Sequence, residues 1–173
     1  MPVTTRKNDA TKRLSLVDDL ASVLRSAQPN ARQPLISENQ IAQTKSVHVA
    51  VIWDKWKDLS PTERSEVILN ACTRAGRFRN STITLAMGLT GEEALRRGFL
   101  PYSIVIMRRQ GRSPSRDQME KAMAGAGGIS MKVGSSTQLR FASFEQAEEA
   151  YRHLSQAVPG PYWAIVHEES TGE

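Results

Sequence analysis

Histidines, one cysteine and closely spaced acids are the side chains of this 173-residue chain that could carry chemistry. His48, His153 and His167 lie far apart, and none has a cysteine or carboxylate at metal-ligand spacing. Cys72 shares a helical face with Val67, Ile68, Ala71 and Ala75. A reactive thiol needs exposure and a positive neighbourhood, so Cys72 reads as core. A single cysteine also rules out an internal disulfide framework. Glu92-Glu93 opens a helix and Glu148-Glu149 sits within one; neither pair has a neighbour that would drive two pKa values apart, as acid–base catalysis requires. No local Ser/His/Asp signature is present. Gly125-Ala126-Gly127-Gly128 follows a helix and precedes a strand, whereas a phosphate cradle follows a strand and opens a helix. The expectation is no catalytic residue, no metal ligand and no cofactor.

Arginines and tryptophans remain. The net charge of +5 is unevenly spread: +3 over residues 1–45, −1 over 46–73, +6 over 74–121 and −3 over 122–173. A basic block of this kind suits a phosphate backbone or an acidic partner, or else a solvated surface. Arg77, Arg79, Arg108, Arg109 and Arg112 are the candidate nucleic-acid contacts. Trp53 shares a face with three valines and reads as core. Trp56 falls in what reads as a loop, so it is the candidate for an exposed, partner-binding aromatic.

The elements that must position these groups follow from periodicity and caps. Residues 1–13 lack periodicity and read as a flexible tail. Leu14, Val17, Leu20, Ala21 and Leu24 recur at helical spacing, which predicts a helix over 14–27 ended by Pro29. A short strand near 34–41 would pair with the next one. Val47, Val49, Val51 and Trp53 alternate with His48, Ala50 and Ile52, a strand apolar on both faces. Ser60-Pro61-Thr62-Glu63 is a capping box with proline at the first helical position, and Gly76 ends that helix. Ile83, Leu85 and Met87 then alternate with small or polar residues in a strand over 81–89. A short helix from Gly91 closes at Gly98.

A second unit follows. Its elements are a strand over 102–107, a helix capped at Ser113-Pro114, a hairpin over 129–142, a helix from Phe144, which is read as buried, and a final strand over 162–167. The order is βαββαβ, a ferredoxin-like arrangement. The fold class is α+β, with domains at 14–98 and 102–168 and a polar tail at 169–173.

Four segments carry a family resemblance: HVAVIWDKW (48–56), ERSEVILNA (63–71), TITLAMGLT (82–90) and GEEA (91–94). Their order and spacing resemble those of BolA-type domains, which pair a V-x-V-x-S strand with an R-H-R helix, an H-A-L-x-I strand and a T-x-E-E/W segment. With the preceding helix, residues 14–98 resemble this KH-related αββαβ unit. Arg64-Ser65-Glu66 stands at the R-H-R position. The family histidine, a ligand for an iron–sulfur cluster shared with a glutaredoxin, is replaced by Ser65. A hydroxyl is a poor iron ligand, so the resemblance carries the fold and not the metal chemistry. In the second unit, LRFASFEQAEEAYRHL (139–154) resembles part of an RNA-recognition motif. Only Arg140 and Phe141 match its stacking strand.

The function expected is a non-enzymatic regulatory or interaction module that contacts a protein partner through Trp56, Arg64 and Ser65. The alternatives are a protein that binds DNA or RNA through the arginine-rich middle, and an enzyme with a site between the two units. No apolar run approaches the ~20 residues that span a bilayer, and the first residues do not read as a secretory signal, so no membrane association and a cytoplasmic location are expected.

Overall fold

The computed structural model describes residues 4–26, 30–107, 111 and 113–168, with residues 4–9 by their backbone. The fold is α+β. The chain forms two compact units: residues 1–28 with 36–90, and residues 29–35 with 91–173.

The first unit runs α1 (Thr4–Arg25), β1 (Leu35–Gln40), β2 (Ser46–Ile52), a 3-10 turn (Asp54–Asp58), α2 (Pro61–Ala75) and β3 (Thr82–Leu89). The sheet order is β1-β2-β3, and β2 and β3 are parallel, joined through α2. Val47, Val49 and Val51 meet Leu16, Val17, Leu20, Ala21 and Leu24 of α1 and Val67, Ile68, Ala71 and Cys72 of α2 in one core. Both helices therefore lie on the valine face of the sheet. Local signals place α2: the Ser60 hydroxyl accepts from the Glu63 amide, the Glu63 carboxylate accepts from the Ser60 amide, and Gly76 ends the helix at φ 66.

Three expectations change here. First, the helix expected to start at 14 starts at Thr4, so 4–13 is not a flexible tail. Lys12 pairs with Asp58 of the 3-10 turn and Arg13 with Glu63 of α2, both from the middle of this helix. The buried stripe takes Leu16 and leaves Leu14 57% exposed. Second, the strict alternation expected of β3 is broken by a register shift: Val47 faces Ile83 but His48 faces Leu85. The extra residue turns Ala86 to the core and leaves Leu85 exposed. Third, the segment after β2 is a 3-10 turn, and Trp56 is its buried residue.

The second unit runs α3 (Gly91–Arg96), β4 (Tyr102–Ile106), α4 (Arg116–Ala126), β5 (Ile129–Val133), β6 (Ser136–Phe141), α5 (Phe144–Ala157) and β7 (Trp163–His167). The short helix α3, expected with the first unit, belongs to this one. The sheet order is β5-β6-β4-β7 with every neighbour antiparallel. Ile104, Leu139, Phe141 and Trp163 on one sheet face meet Met119, Ala122, Met123 and Ala126 of α4 and Ala147, Ala150 and Leu154 of α5. Helix α4 is capped by Ser115 with Gln118 rather than at Ser113, two residues later than the Ser-Pro signal. Phe144, expected in the core, is 46% exposed and lies edge-on to Tyr102 at 5.9 Å. Among the described residues no helix is long and apolar enough to cross a membrane.

Candidate functional site

Trp56, Arg64 and Ser65 do come together, but inside the first unit. Trp56 has no exposed surface: its ring meets Trp53 edge-on at 5.2 Å, and its indole N–H donates to the Val51 carbonyl at 2.9 Å. The Trp56 ring closes the end of the valine face, and its indole N–H finds an acceptor in the Val51 carbonyl. The expectation of an exposed aromatic at this position is therefore corrected. Arg64 is 6% exposed. It donates through Nε to the Leu59 carbonyl at 2.9 Å and through Nη1 to the Gly88 carbonyl at 3.2 Å. The Ser65 Oγ lies 2.7 Å from the Ala86 carbonyl and 3.1 Å from that of Pro61. These two side chains tie α2 to β3 and to the turn before α2. Neither offers a partner its polar group.

The arginine candidates divide. Arg108, Arg109 and Arg112 lie outside the described residues. Arg77 and Arg79 lie in the α2–β3 connector, and the way α2 ends decides where they point. The Gly76 amide donates to the Thr73 carbonyl and the Arg77 amide to the Cys72 carbonyl, each at 3.1 Å. These two bonds make a Schellman motif. It turns the chain sharply after α2 and throws Arg77 toward the C-terminal end of α1 and toward β1. Phe78 follows at φ 61, with its ring packed on the edge of the core.

The result is an open depression of about 620 Å³ lined by Arg25, Glu38, Arg77, Arg79, Asn80 and Ser81, among others. Arg77 holds Glu38 in a fork: Nε to Oε1 at 3.1 Å and Nη2 to Oε2 at 3.2 Å. Its Nη1 reaches the Leu24 carbonyl at 3.4 Å. Arg25 donates to the Arg74 carbonyl at 3.0 Å, and Arg74 in turn pairs with Asp18. The Arg79 guanidinium lies over Gly76, its Nη2 2.9 Å from where a Cβ would stand. Among the described residues Arg79 has no carboxylate partner. Three guanidinium groups thus share this depression with one carboxylate, a local balance of +2.

Other basic residues of the middle segment are spent on their own helices: Arg96 pairs with Glu92 and Arg116 with Glu120, each one turn apart. Arg25 and Glu38 are the members of the site that sequence reasoning missed. Arg25 carries a signal only as a cation at a helix end. Glu38 lies 39 residues from Arg77 on a strand with little patterning, and nothing local links the two.

The remaining candidates resolve into packing. Cys72 is 2% exposed, and burial pushes its thiol up to about 11. Phe141 is fully buried beneath α4 and α5, and Arg140 lies on the opposite sheet face, buried and paired with Glu168 at 2.6 Å. Neither is placed to stack a base. Glu149 accepts from the Ala31 amide at 2.9 Å. Among the described residues no group of three or more His, Cys, Asp or Glu side chains is placed to hold a metal ion. Comparison with known family models, with curated proteins and with solved structures finds no match to this chain.

Proposed function

We propose that the chain binds nucleic acid through the depression at the α2–β3 connector. The observation that carries this reading is the convergence of Arg25, Arg77 and Arg79 from two elements far apart in sequence against the single carboxylate of Glu38. Like charges held together without matching acids raise the local concentration of anions, and guanidinium forks match phosphate oxygens. Asn80 and Ser81 add neutral donors at the rim. The parallel β2–β3 pair of the αββαβ unit supports the BolA-like, KH-related architecture. The β5-β6-β4-β7 order with both helices on one face supports the ferredoxin-like architecture of the second unit.

The test is titration of labelled single-stranded DNA, duplex DNA and RNA at rising salt. Log affinity should fall linearly with log salt, by about 0.7 to 0.9 per phosphate neutralised. An Arg25→Ala/Arg79→Ala variant should bind more weakly and with a shallower slope. No binding to any of these at low salt overturns the reading.

A second reading, a non-enzymatic contact module, is favoured by Leu14. It is 57% exposed and shares a groove between α1 and α2 with Val17 and Val67. If a purified protein partner binds the wild type, Leu14→Glu should abolish that binding without unfolding the chain. A partner held equally by both forms sinks this reading.

A further inference from the structure

We infer that the fork of Arg77 is a phosphate subsite that the carboxylate of Glu38 occupies in the free protein, so that nucleic acid binds by replacing Glu38 on Arg77. This rests on the nucleic-acid reading above and names the group through which it works.

The geometry is that of one anion held by a fork. Oε1 of Glu38 lies 3.1 Å from Nε and 3.0 Å from Nη2, and Oε2 lies 3.2 Å from Nη2, so the carboxylate sits on the guanidinium edge that takes either a carboxylate or a phosphate. The two side chains are 40% and 31% exposed, so solvent reaches the pair and a ligand can too. An exposed ion pair contributes little net stability, and exchanging it for another anion costs correspondingly little. Arg77 is also pre-positioned. Its amide bonds the Cys72 carbonyl, its Nη1 lies 3.4 Å from the Leu24 carbonyl, and its guanidinium carbon lies 5.6 Å from the Phe78 ring centre. Releasing Glu38 would leave the fork where it is. The flanking groups favour the exchange: Arg25 and Arg79 line the same depression and are not paired with Glu38. A carboxylate tethered to β1 reaches one fork only, whereas a phosphodiester chain can meet all three cations.

The alternative is that Glu38 is a clamp that ties β1 to the connector and has no bearing on ligands. The two differ in the sign of one substitution. Glu38→Gln keeps the shape and one acceptor oxygen but removes the charge. With a labelled single-stranded oligonucleotide as probe, the subsite predicts binding about two- to fivefold tighter, the equivalent of releasing one exposed ion pair. The salt slope should steepen by about 0.7 to 0.9, because no freed carboxylate takes counterions back up when the phosphate lands on Arg77. In an Arg77→Ala background the same change should give no gain, which separates the fork from a general loss of negative charge. Glu66→Gln, an exposed acid of α2 outside the depression, should change nothing. Arg77→Lys keeps the charge and should lose the subsite, which covers the case in which the alanine variant does not fold. Wild-type binding that Glu38→Gln leaves unchanged or weakens, or a gain that survives in Arg77→Ala, overturns the subsite and leaves the nucleic-acid reading standing. No binding by the wild type or the glutamine variant overturns both.

Discussion

Gly88 of β3 lies where any Cβ would stand 2.6 Å from the Cβ of Arg64. The arginine passes over the strand at that point and bonds the Gly88 carbonyl itself, so the close approach and the hydrogen bond are one feature. A methyl group there would also meet Trp56 at 3.2 Å. None of these neighbours is the free end of a flexible chain, so α2 or β3 must shift. Gly88→Ala should cost about 1–3 kcal/mol, the usual range for overpacking. A urea midpoint equal to that of the wild type would show that the two elements slide apart at no cost.

Trp56 shows the same dependence from the other side. Trp56→Ala empties the end of the valine core and should cost about 3–5 kcal/mol. Trp56→Phe keeps most of the volume but leaves the Val51 carbonyl without its indole donor, and should cost about 1–3 kcal/mol. Calorimetric melting measures both. Nucleic-acid affinity of the folded phenylalanine variant should match the wild type, because Trp56 is buried in the core and does not line the depression. A loss of affinity with unchanged stability would return Trp56 to the list of contact residues.

Much of this architecture is legible in the sequence wherever a signal is local. The Ser60–Glu63 box, Pro61 and Gly76 bound α2 at both ends, and each acts on neighbours within one turn. Signals that depend on tertiary contacts are not legible. The ion pairs of Lys12 with Asp58 and Arg13 with Glu63 join α1 to residues some fifty positions on. Trp56 reads as a loop residue because nothing nearby says that the loop folds under the sheet end. The β3 bulge moves Leu85 out and Ala86 in, and an alternating pattern cannot reveal an inserted residue. The candidate site was half legible. Arg77 and Arg79 belong to a visible basic connector, whereas Arg25 and Glu38 arrive from α1 and β1 only when the fold is assembled.

Cys72 makes the core's dryness measurable. Burial raises its thiol from about 9 to about 11. The folded chain therefore holds the proton more tightly than the unfolded one, and the benefit is complete below pH 9. As pH rises from 9 toward 11 the unfolded thiol ionises first, and stability should fall by about 1.4 kcal/mol per pH unit from this group. Cys72→Ala should remove that part of the alkaline loss. Iodoacetamide at pH 8 should label the native protein only at the rate of unfolding. Rapid labelling would mean that the α2 core admits solvent.

Ser103 on β4 carries an opposite expectation. It is fully buried opposite Arg140 on β6, and its hydroxyl has no hydrogen-bond partner among the described residues. A buried hydroxyl without a partner costs stability, so Ser103→Ala should raise it by about 1 kcal/mol. Denaturant titration decides this, and a destabilised variant would show that the hydroxyl is in fact satisfied.

Gly76 couples the fold to the proposed site. Its φ of 66 closes the Schellman motif that aims Arg77, and the Arg79 guanidinium rests where a side chain would begin. Gly76→Ala should cost about 1 kcal/mol for the left-handed backbone, and Gly76→Asn less, since asparagine tolerates that conformation. Both side chains would displace Arg79, whose Nη2 would otherwise lie 2.9 Å from the new Cβ. Stability and binding should therefore separate: the asparagine variant should melt close to the wild type yet bind oligonucleotide as weakly as Arg79→Ala. Combining Gly76→Asn with Arg79→Ala should weaken binding no further, because both act through the same guanidinium. An additive loss, or an asparagine variant that binds like the wild type, would mean that Arg79 reaches its ligand from somewhere other than its place over Gly76.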